Sequence, residues 1–254
     1  MNLNNETLET LKKLRTIHWN FNGKEVTDEE ISVIIKHSMR AANATNLSNY
    51  SIIMVDDVEV IKKITGKPCK AKCLVFCLDY NRISATASHL GYEYFPGVSW
   101  HGFIGGIFDI SILTQTAVIA AKSLGIDSLI TNAIFRQDIR EIKNILKLPE
   151  KYCFPVMTVL LGHSDKLDTQ TTGRLSAKHV VHKGTYTPIS NIQHNEIIAE
   201  FDSIYPEYIN NEYPRYLDWY HRVWEKPSED SKKGIPTDLD EQIYEVLRES
   251  GFNI

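Results

Sequence analysis

The pattern of apolar residues predicts a long helix in the middle of the chain. From residue 109 to residue 124, apolar or small side chains recur every three or four positions, which is the spacing of one helix face. The flanking positions are also largely apolar, so this helix is expected to be buried nearly all round. The positions at helical spacing are Ile110, Leu113, Thr114, Ala117, Ala121 and Leu124, and the flanking ones are Ile112, Val118, Ile119 and Ala120.

A short strand is predicted directly after this helix. Gly125 marks the helix end, because glycine readily adopts the left-handed conformation that closes many helices. Residues 126–130 are then predicted to form a short buried strand that ends in the polar pair Thr131 and Asn132. Polar residues at the end of a strand beside a core helix are well placed to hold a ligand.

The rest of residues 1–182 mixes predicted helices and strands. Helices are predicted at residues 6–15, 58–64, 81–92 and 137–146, and another follows the capping box formed by Thr27 and Glu30. Strands are predicted at 50–55, 71–78 and 154–161, and residues 174–182 are strand-like. This mixture favours an α+β or α/β fold. The segment EYFPGVSWHGF at residues 93–103 is predicted to be an aromatic loop of the kind that forms lids.

The last third of the chain has a different character. Residues 196–224 are rich in aromatic side chains, for which packing against the body or a partner subunit is one interpretation and direct substrate binding is the other. Residues 226–236 read as a polar linker, and Asp238 is predicted to cap a final amphipathic helix at 239–248. The aromatic positions predicted to share one helix face are Tyr213, Tyr216, Tyr220 and Trp224.

Composition and charge exclude several classes of function. The 254 residues are 43% apolar, which predicts one compact domain with appendages. The 28 Lys and Arg against 32 Asp and Glu give a net charge of −4 without long blocks of one sign, which argues against nucleic-acid binding. The polar first residues do not resemble a signal peptide, and the most apolar window, residues 103–121, is interrupted by polar residues. We therefore expect a cytoplasmic protein without a membrane span.

The four cysteines do not predict a metal site. Cys73 and Cys77 fall in a predicted strand, where residues four positions apart lie roughly 13 Å from each other. A single ion does not bridge that distance. We expect Cys69, Cys73, Cys77 and Cys153 to be buried and reduced.

The common phosphate-binding and hydrolytic motifs are missing from the sequence. It has no Walker A motif, no G-x-G-x-x-G after a strand, no H-E-x-x-H and no G-x-S-x-G. The pair Gly105-Gly106 is explained by helix entry or close packing at least as well as by ligand binding.

Four short motifs instead occur in a distinctive order. They are RTIHWNF at residues 15–21, NATNLSNY at 43–50, LGIDSLITNA at 124–133 and TGRLS at 172–176. The segments ILKLPE at 145–150 and VLLGH at 159–163 stand between the last two. In this order, over about residues 8–182, the motifs resemble the nitroreductase family of FMN-dependent oxidoreductases.

The resemblance implies roles for the first and last motifs at the FMN phosphate. In one register of the first motif Arg15 and Phe21 match the family, and in the other Arg15, Thr16 and His18 match. Arg174 corresponds to the family arginine that reaches the phosphate. Trp19 and Thr172 stand where the family has a cationic side chain.

The two middle motifs are implied to meet the flavin itself. Thr45, Asn46 and Ser48 correspond to side chains at the polar edge of the ring and the ribityl chain, although Asn46 would also serve as a simple helix cap. The backbone of Thr131, Asn132 and Ala133 corresponds to the segment near flavin N5 and O4. On the substrate face, the predicted aromatic loop contributes Tyr94, Trp100 and His101.

These roles imply an NAD(P)H-dependent FMN oxidoreductase. Hydride would pass from NADH or NADPH through flavin N5 to an electron-poor small molecule, a nitroaromatic or a quinone, by a ping-pong mechanism. No side chain is required as general acid or base, and no metal is expected. The alternatives are the same fold with different flavin chemistry, namely dehalogenation or flavin destruction, and a non-catalytic FMN-binding or scaffold protein.

The resemblance also implies an architecture. We expect an α+β fold, an α/β sandwich in which a central mixed or antiparallel sheet is flanked by helices, assembled as an interlocked homodimer. Residues 1–183 would form the FMN-binding domain. Residues 184–254 would form an aromatic-rich helical extension that packs on the body or on the partner subunit.

Overall fold

The computed structural model describes residues 4–93, 99–166, 172–224 and 239–253. They form two compact units, one made of Met1–Gln170 with Asp238–Ile254 and the other of Thr171–Thr237. The first unit is an α+β structure with four strands and most of the described helices. The predicted fold class is therefore confirmed, whereas the extent of an FMN-binding domain to residue 183 stays a prediction.

The first unit begins with two helices and ends with the C-terminal helix. Its helices are α1 (Glu6–Lys12), α2 (Asp28–Ser38), α3 (Val58–Thr65), α4 (Asn81–His89), α5 (Trp100–Ser123) and α6 (Ile139–Ile145), and its strands are β1 (Tyr50–Val55), β2 (Lys72–Asp79), β3 (Asp127–Thr131) and β4 (Cys153–Gly162). In the second unit lie α7 (Asn191–Ile204) and α8 (Tyr216–Trp224), and α9 (Leu239–Glu249) returns to the first unit.

The sheet has the order β1-β2-β4-β3, and every neighbouring pair of strands is antiparallel. The two inner strands, β2 and β4, are buried along almost their whole length, as their near-continuous apolar runs predicted. The ladder between them shifts register after Phe76, where Cys77 pairs with Pro155. At the edge, Thr16 forms an isolated parallel bridge to Ser128 of β3.

Helix α5 packs against α2 on one side and against the sheet on the other. Its core face includes Ile110, Leu113 and Ala117, all at most 1% exposed. The prediction that the helix is buried nearly all round is wrong for this chain, because Phe108 is 62% exposed and Ile112 is 45% exposed. Apolar composition indicated burial, but these two side chains point away from both layers that cover α5.

The start of α5 also differs from the prediction. The side chain of Ser99 caps the helix by accepting a hydrogen bond from the backbone of Gly102 at 3.2 Å. Trp100 to Phe103, predicted as the end of an aromatic loop, are therefore helical. Before Ser99, only Glu93 of the predicted loop is described. Tyr94 lies outside the described residues.

The 24 residues of α5 are long and apolar enough to cross a membrane by length and composition alone, and 44% of the most apolar window is buried within the protein. Core helices of globular proteins pass the same test. The packing of α5 on α2 and the sheet gives it the position of a core helix.

The strand-like segment predicted at residues 174–182 is not a strand. The backbone N–H of His179 donates to the carbonyl of Ser176 at 3.0 Å, which forms a single 3-10 turn over Ala177–His179. The hydroxyl and backbone N–H of Ser176 both donate to Glu200 at 2.9 Å. Side-chain partners take the place of a neighbouring strand, so the strand-like segment pairs with no sheet.

Aromatic rings of the second unit pack on one another. Tyr205 stacks on Tyr216 with ring centroids 4.3 Å apart, and Tyr208 lies 4.1 Å from Trp219. Tyr213 precedes α8, so the predicted four-residue face does not form one helical stripe. The described part of α8 contributes Tyr216 and Tyr220 to the ring cluster.

All four cysteines are free thiols and buried, as predicted. Burial raises the pKa of Cys69 to about 11 and holds the pKa of Cys73 far above its usual range. A neutral thiol is thus the stable form of both residues. Among the residues that the structure describes, no group of three or more His, Cys, Asp or Glu side chains is placed to hold a metal ion.

We predict opposite effects for alanine at the two adjacent glycines of α5. A Cβ at Gly106 would lie 2.3 Å from a methyl carbon of Leu78, which is fully buried, so Gly106→Ala should lower the free energy of unfolding by about 1–3 kcal/mol. A Cβ at Gly105 meets nothing within 4 Å, so Gly105→Ala should raise it by about 0.5–1 kcal/mol. Urea denaturation of both variants tests the pair, and equal stabilities would contradict the packing described here.

Candidate functional site

An open pocket of about 550 Å³ lies in the first unit, where the start of α5, the end of β3, the middle of β4 and α9 meet. Its walls are predominantly aromatic and aliphatic. Trp100 stacks on Phe103 with ring centroids 5.9 Å apart, and Phe135 stacks on Phe154 at 6.1 Å. A pocket of this size and lining suits a flat apolar ligand.

The pocket brings together two residues that the sequence placed in separate motifs. Trp100 was predicted on the substrate face, and Asn132 was predicted beside the flavin; both line the pocket. Trp100 projects from the first turn of α5, and Asn132 follows the last residue of β3. His101, in the same turn of α5 as Trp100, is not among the lining residues.

The chain turns sharply after β3. The hydroxyl of Thr131 accepts a hydrogen bond from the backbone N–H of Ala133 at 3.0 Å, and the carbonyl of Asn132 accepts one from Phe135 at 3.0 Å. These bonds start the 3-10 turn Ala133–Arg136, which aims the Phe135 side chain into the pocket. Of the predicted flavin-facing backbone, the N–H of Ala133 is therefore already engaged by Thr131.

Helix α9 forms the outer wall of the pocket and is held by cations of the first unit. Arg140 donates to Glu245 at 2.9 Å and to Glu249 at 2.9 and 2.6 Å. Lys151 donates to the carbonyl of Glu249 at 2.8 Å, a favourable position for a cation at a helix C-terminus. The proximity of Arg140 lowers the pKa of Glu249, so this attachment is intact wherever Glu249 is ionised.

A strained loop lies between α2 and β1. Thr45, Asn46 and Ser48 have φ angles of 54°, 56° and 50°, in the left-handed region that side chains other than glycine rarely adopt. Each such residue costs roughly 1–3 kcal/mol, so the surrounding structure must hold them. These are the three residues that the sequence placed at the ring edge and ribityl chain.

Two charged side chains hold this loop. Asp109, which is buried on α5, accepts a hydrogen bond from the backbone N–H of Ala44 at 2.8 Å. Arg82 donates to the carbonyl of Ser48 at 2.6 Å and to that of Tyr50 at 3.1 Å. Sequence reasoning missed both residues, although an acid within the apolar pattern of α5 was a signal for Asp109.

Two buried oxygen atoms near this loop have no hydrogen-bond partner among the described residues. They are Oδ2 of Asp109 and Oδ1 of Asn49. Asn49 donates through its amide nitrogen to the hydroxyl of Tyr80 at 3.1 Å, so only the oxygen end is unsatisfied. Buried polar atoms are seldom left unpaired, which makes both oxygens candidates for contact with a ligand or water.

Arg15 is part of a buried ion cluster. Its guanidinium donates to both carboxylate oxygens of Asp127, at 3.1 and 2.9 Å, and to the carbonyl of Lys166 at 2.6 Å. Lys122 donates to the same carboxylate at 3.1 Å. The three charged side chains are 4–7% exposed, so these ion pairs are buried.

The other residues predicted to contact the FMN phosphate are not part of this buried ion cluster. Thr16 bridges to Ser128 at the sheet edge, and His18 is exposed. Arg174 lies in the second unit, where it is exposed and donates to the carbonyls of Thr172 and Gly173 at 2.9 and 2.8 Å. Because these carbonyls belong to neighbouring residues, the guanidinium is held only locally.

Known proteins similar to this chain are named oxidoreductases or nitroreductases. A relative from Staphylococcus epidermidis, named NADPH-dependent oxidoreductase, is 27% identical over 247 residues, which cover 91% of this chain and 92% of the relative. No protein-family model matches the chain.

Two solved structures share the fold. Nitroreductase A from Vibrio parahaemolyticus superimposes with a TM-score of 0.78 at 20% identity, over 98% of this chain and 99% of the other. The NADPH:FMN oxidoreductase from Vibrio harveyi, complexed with NAD+, gives 0.77 at 21% identity over the same shares. The chain therefore has the nitroreductase fold, and the resemblance seen in its motifs is confirmed at the level of the fold.

We predict that the buried cluster at Arg15 is essential for stability. Asp127→Asn would remove the buried carboxylate on which two buried cations converge and should lower the free energy of unfolding by about 3–5 kcal/mol. The matched control is Glu141→Gln, which removes an exposed ion pair with Lys63 and should leave that free energy nearly unchanged. Thermal and urea unfolding of both variants test the comparison. Equal stabilities would show that Asp127 is not the required counter-charge.

Proposed function

We propose that this protein is an FMN-dependent oxidoreductase that passes hydride from NAD(P)H through flavin N5 to a small electron-poor acceptor, a nitroaromatic or a quinone. The observation that carries the proposal is the aromatic pocket that joins Trp100 to Asn132 at the end of β3. The nitroreductase fold and the name of the staphylococcal relative support it.

Bound FMN would supply a two-electron carrier, which accepts hydride from NAD(P)H and gives it to the acceptor in a separate, ping-pong half-reaction. The net reaction converts a nitro group, NAD(P)H and a proton to a nitroso group, NAD(P)+ and water. With a quinone, the same electrons and two protons give the hydroquinone. No general acid or base of the protein is needed if solvent supplies these protons.

The pocket residues would orient a flat ring and exclude water. Phe135 and Phe154 present one stacked aromatic surface, and Trp100 and Phe103 present another. Asn132 and the backbone from Thr131 to Ala133 would lie at the flavin N5 and O4. Stacked aromatic walls favour parallel binding of a second planar ring, which is the geometry that hydride transfer requires.

The strained loop would hold the polar edge of the ring and the ribityl chain through Thr45, Asn46 and Ser48. Its backbone strain is the feature expected where a loop is shaped for a ligand and not for stability. The unpaired oxygens of Asp109 and Asn49 would accept hydrogen bonds from donors in this region. Asp109 and Arg82 act as positioning residues, because they touch the backbone of the loop.

The phosphate would be met by Arg15, Thr16, His18 and Arg174. Arg15 is already paired with Asp127, and Lys122 brings a second buried cation to the same carboxylate. Cationic side chains in a poorly solvated place favour a nearby phosphate dianion. The internal pairing of Arg15 also motivates the rival hypothesis, a non-catalytic protein of the same fold that no longer binds the cofactor.

We propose a cytoplasmic homodimer. The exposed face of α5, with Phe108 and Ile112, lies on the same unit as Leu8 and Leu11 of α1, each 40% exposed. A second copy that covers this apolar face would remove it from water. The nitroreductase resemblance implies such a dimer, and the four reduced cysteines are typical of a reducing compartment.

We predict that the purified protein binds FMN and that NADPH bleaches it. The absorption spectrum of the protein with added FMN, after gel filtration, should retain the bound-flavin bands near 450 nm. Anaerobic NADPH or NADH should then remove these bands, and a nitroaromatic or quinone should restore them. Protein that stays colourless with excess FMN would instead support the non-catalytic hypothesis.

We predict that Arg174→Ala weakens FMN binding without loss of stability. Its guanidinium is exposed and held only by neighbouring carbonyls, so removal should leave the unfolding midpoint unchanged. Loss of one charge-assisted contact to the phosphate should raise the Kd for FMN roughly five- to tenfold. Lys183→Ala, an exposed cation of the same unit, is the charge-matched control. Equal Kd values for the two variants would remove Arg174 from the phosphate site.

A further inference from the structure

The pocket beside Asn132 has an unusual charge distribution. Asp240, in the first turn of α9, is its one charged lining residue among those that the structure describes, and Asn132 and Tyr244 are its polar ones. No Lys, Arg or His is found among its described lining residues. A volume of about 550 Å³ falls in the range of roughly 300–1,000 Å³ typical of small-molecule sites.

The arginines on α9 and on α6, which contacts α9, interact with other side chains. Arg248 lies over the ring of Tyr244, 5.3 Å from its centroid, and Arg140 is paired with two glutamates of α9. Neither arginine lines the pocket. A negatively charged ligand would therefore meet Asp240 and an apolar wall without a compensating cation, and its carboxylate would lose water without gaining a partner.

We propose that this pocket binds the electron acceptor and that Asp240 makes it selective for uncharged or cationic aromatic acceptors over anionic ones. The inference rests on the proposed function, because it assigns one substrate of that reaction. The phosphates of NAD(P)H find no cation among the described lining residues, so only the ring of the reductant can enter the pocket.

The location of the pocket supports its role as an acceptor site. Asn132 is both a wall of the pocket and the centre of the segment proposed at flavin N5, so a ring bound against Phe135 would lie next to the reacting atoms. The outer wall belongs to α9, and Ile243 and Tyr244 contribute the side chains on that face. Residues far apart in the chain thus determine which acceptor can approach.

The test uses two acceptors of nearly equal size that differ in charge, 4-nitrobenzyl alcohol and 4-nitrobenzoate. With FMN-loaded protein and saturating NADPH, the kcat/KM for the alcohol should exceed that for the carboxylate by about tenfold or more. Asp240→Lys should narrow this ratio roughly five- to tenfold, because it replaces repulsion by attraction near the protein surface. Glu241→Lys makes the same charge change on a neighbouring residue outside the pocket and should narrow the ratio less than twofold.

A second variant tests occupancy of the pocket. Ile243→Trp should fill the cavity and raise KM for the alcohol about tenfold or more. Circular dichroism and the unfolding midpoint confirm that the variant is folded. Equal ratios for Asp240→Lys and Glu241→Lys, or an unchanged KM in folded Ile243→Trp, would overturn the assignment.

Direct binding separates this inference from the proposed function. Calorimetric titration of the oxidised protein with 4-nitrobenzyl alcohol should show one site, which Ile243→Trp removes. If flavin is not reduced by NADPH but the alcohol still binds and 4-nitrobenzoate does not, the proposed reaction fails and the pocket's preference for uncharged rings stands. If flavin is reduced normally and the alcohol binds equally to the unmodified protein and to Ile243→Trp, only the pocket assignment fails.

Discussion

The close packing of α5 against the sheet is the constraint on which the rest of the structure depends. Gly106 places the backbone of the helix against Leu78 of β2, so near that even a methyl group would overlap it. This approach fixes the height of α5 over the sheet and with it the positions of Asp109 and Trp100. Asp109 then reaches the loop before β1, and Trp100 reaches the pocket beyond β3. One helix thereby positions both halves of the candidate site.

A second constraint, electrostatic in origin, fixes the start of β3. Arg15 and Lys122 converge on Asp127, the first residue of that strand, while Thr16 bridges to the next residue. The strand is therefore tied at its beginning by buried charge, and the turn at its end is shaped by the hydroxyl of Thr131. The buried charges lie at one end of β3, and at the other end Asn132 is exposed and lines the pocket.

The sequence predicted elements whose signals are local. The buried strand β2 was found because both of its faces are covered, which requires a near-continuous apolar run, and α2 was found from the capping box of Thr27 and Glu30. Residues 174–182 misled the same reasoning, because a strand-like pattern does not reveal whether a strand has a neighbour. The start of α5 was missed, since Trp100 and its aromatic neighbours suit a loop as well as a helix.

The candidate site was only partly predictable for the same reason. The motifs indicated Thr45, Asn46 and Asn132 one by one, but their supports, Asp109 and Arg82, act through contacts that no spacing encodes. The position of α9 as the outer wall of the pocket was the least predictable feature of the site. Helix α9 was predicted from its own amphipathic pattern, yet the elements that it contacts, α6 and the turn Ala133–Arg136, lie about a hundred residues earlier in the chain. The exposed pocket-lining residues of α9, Asp240 and Tyr244, can vary without disturbing the core, so the proposed acceptor selectivity can change while the segments proposed to face the flavin stay the same.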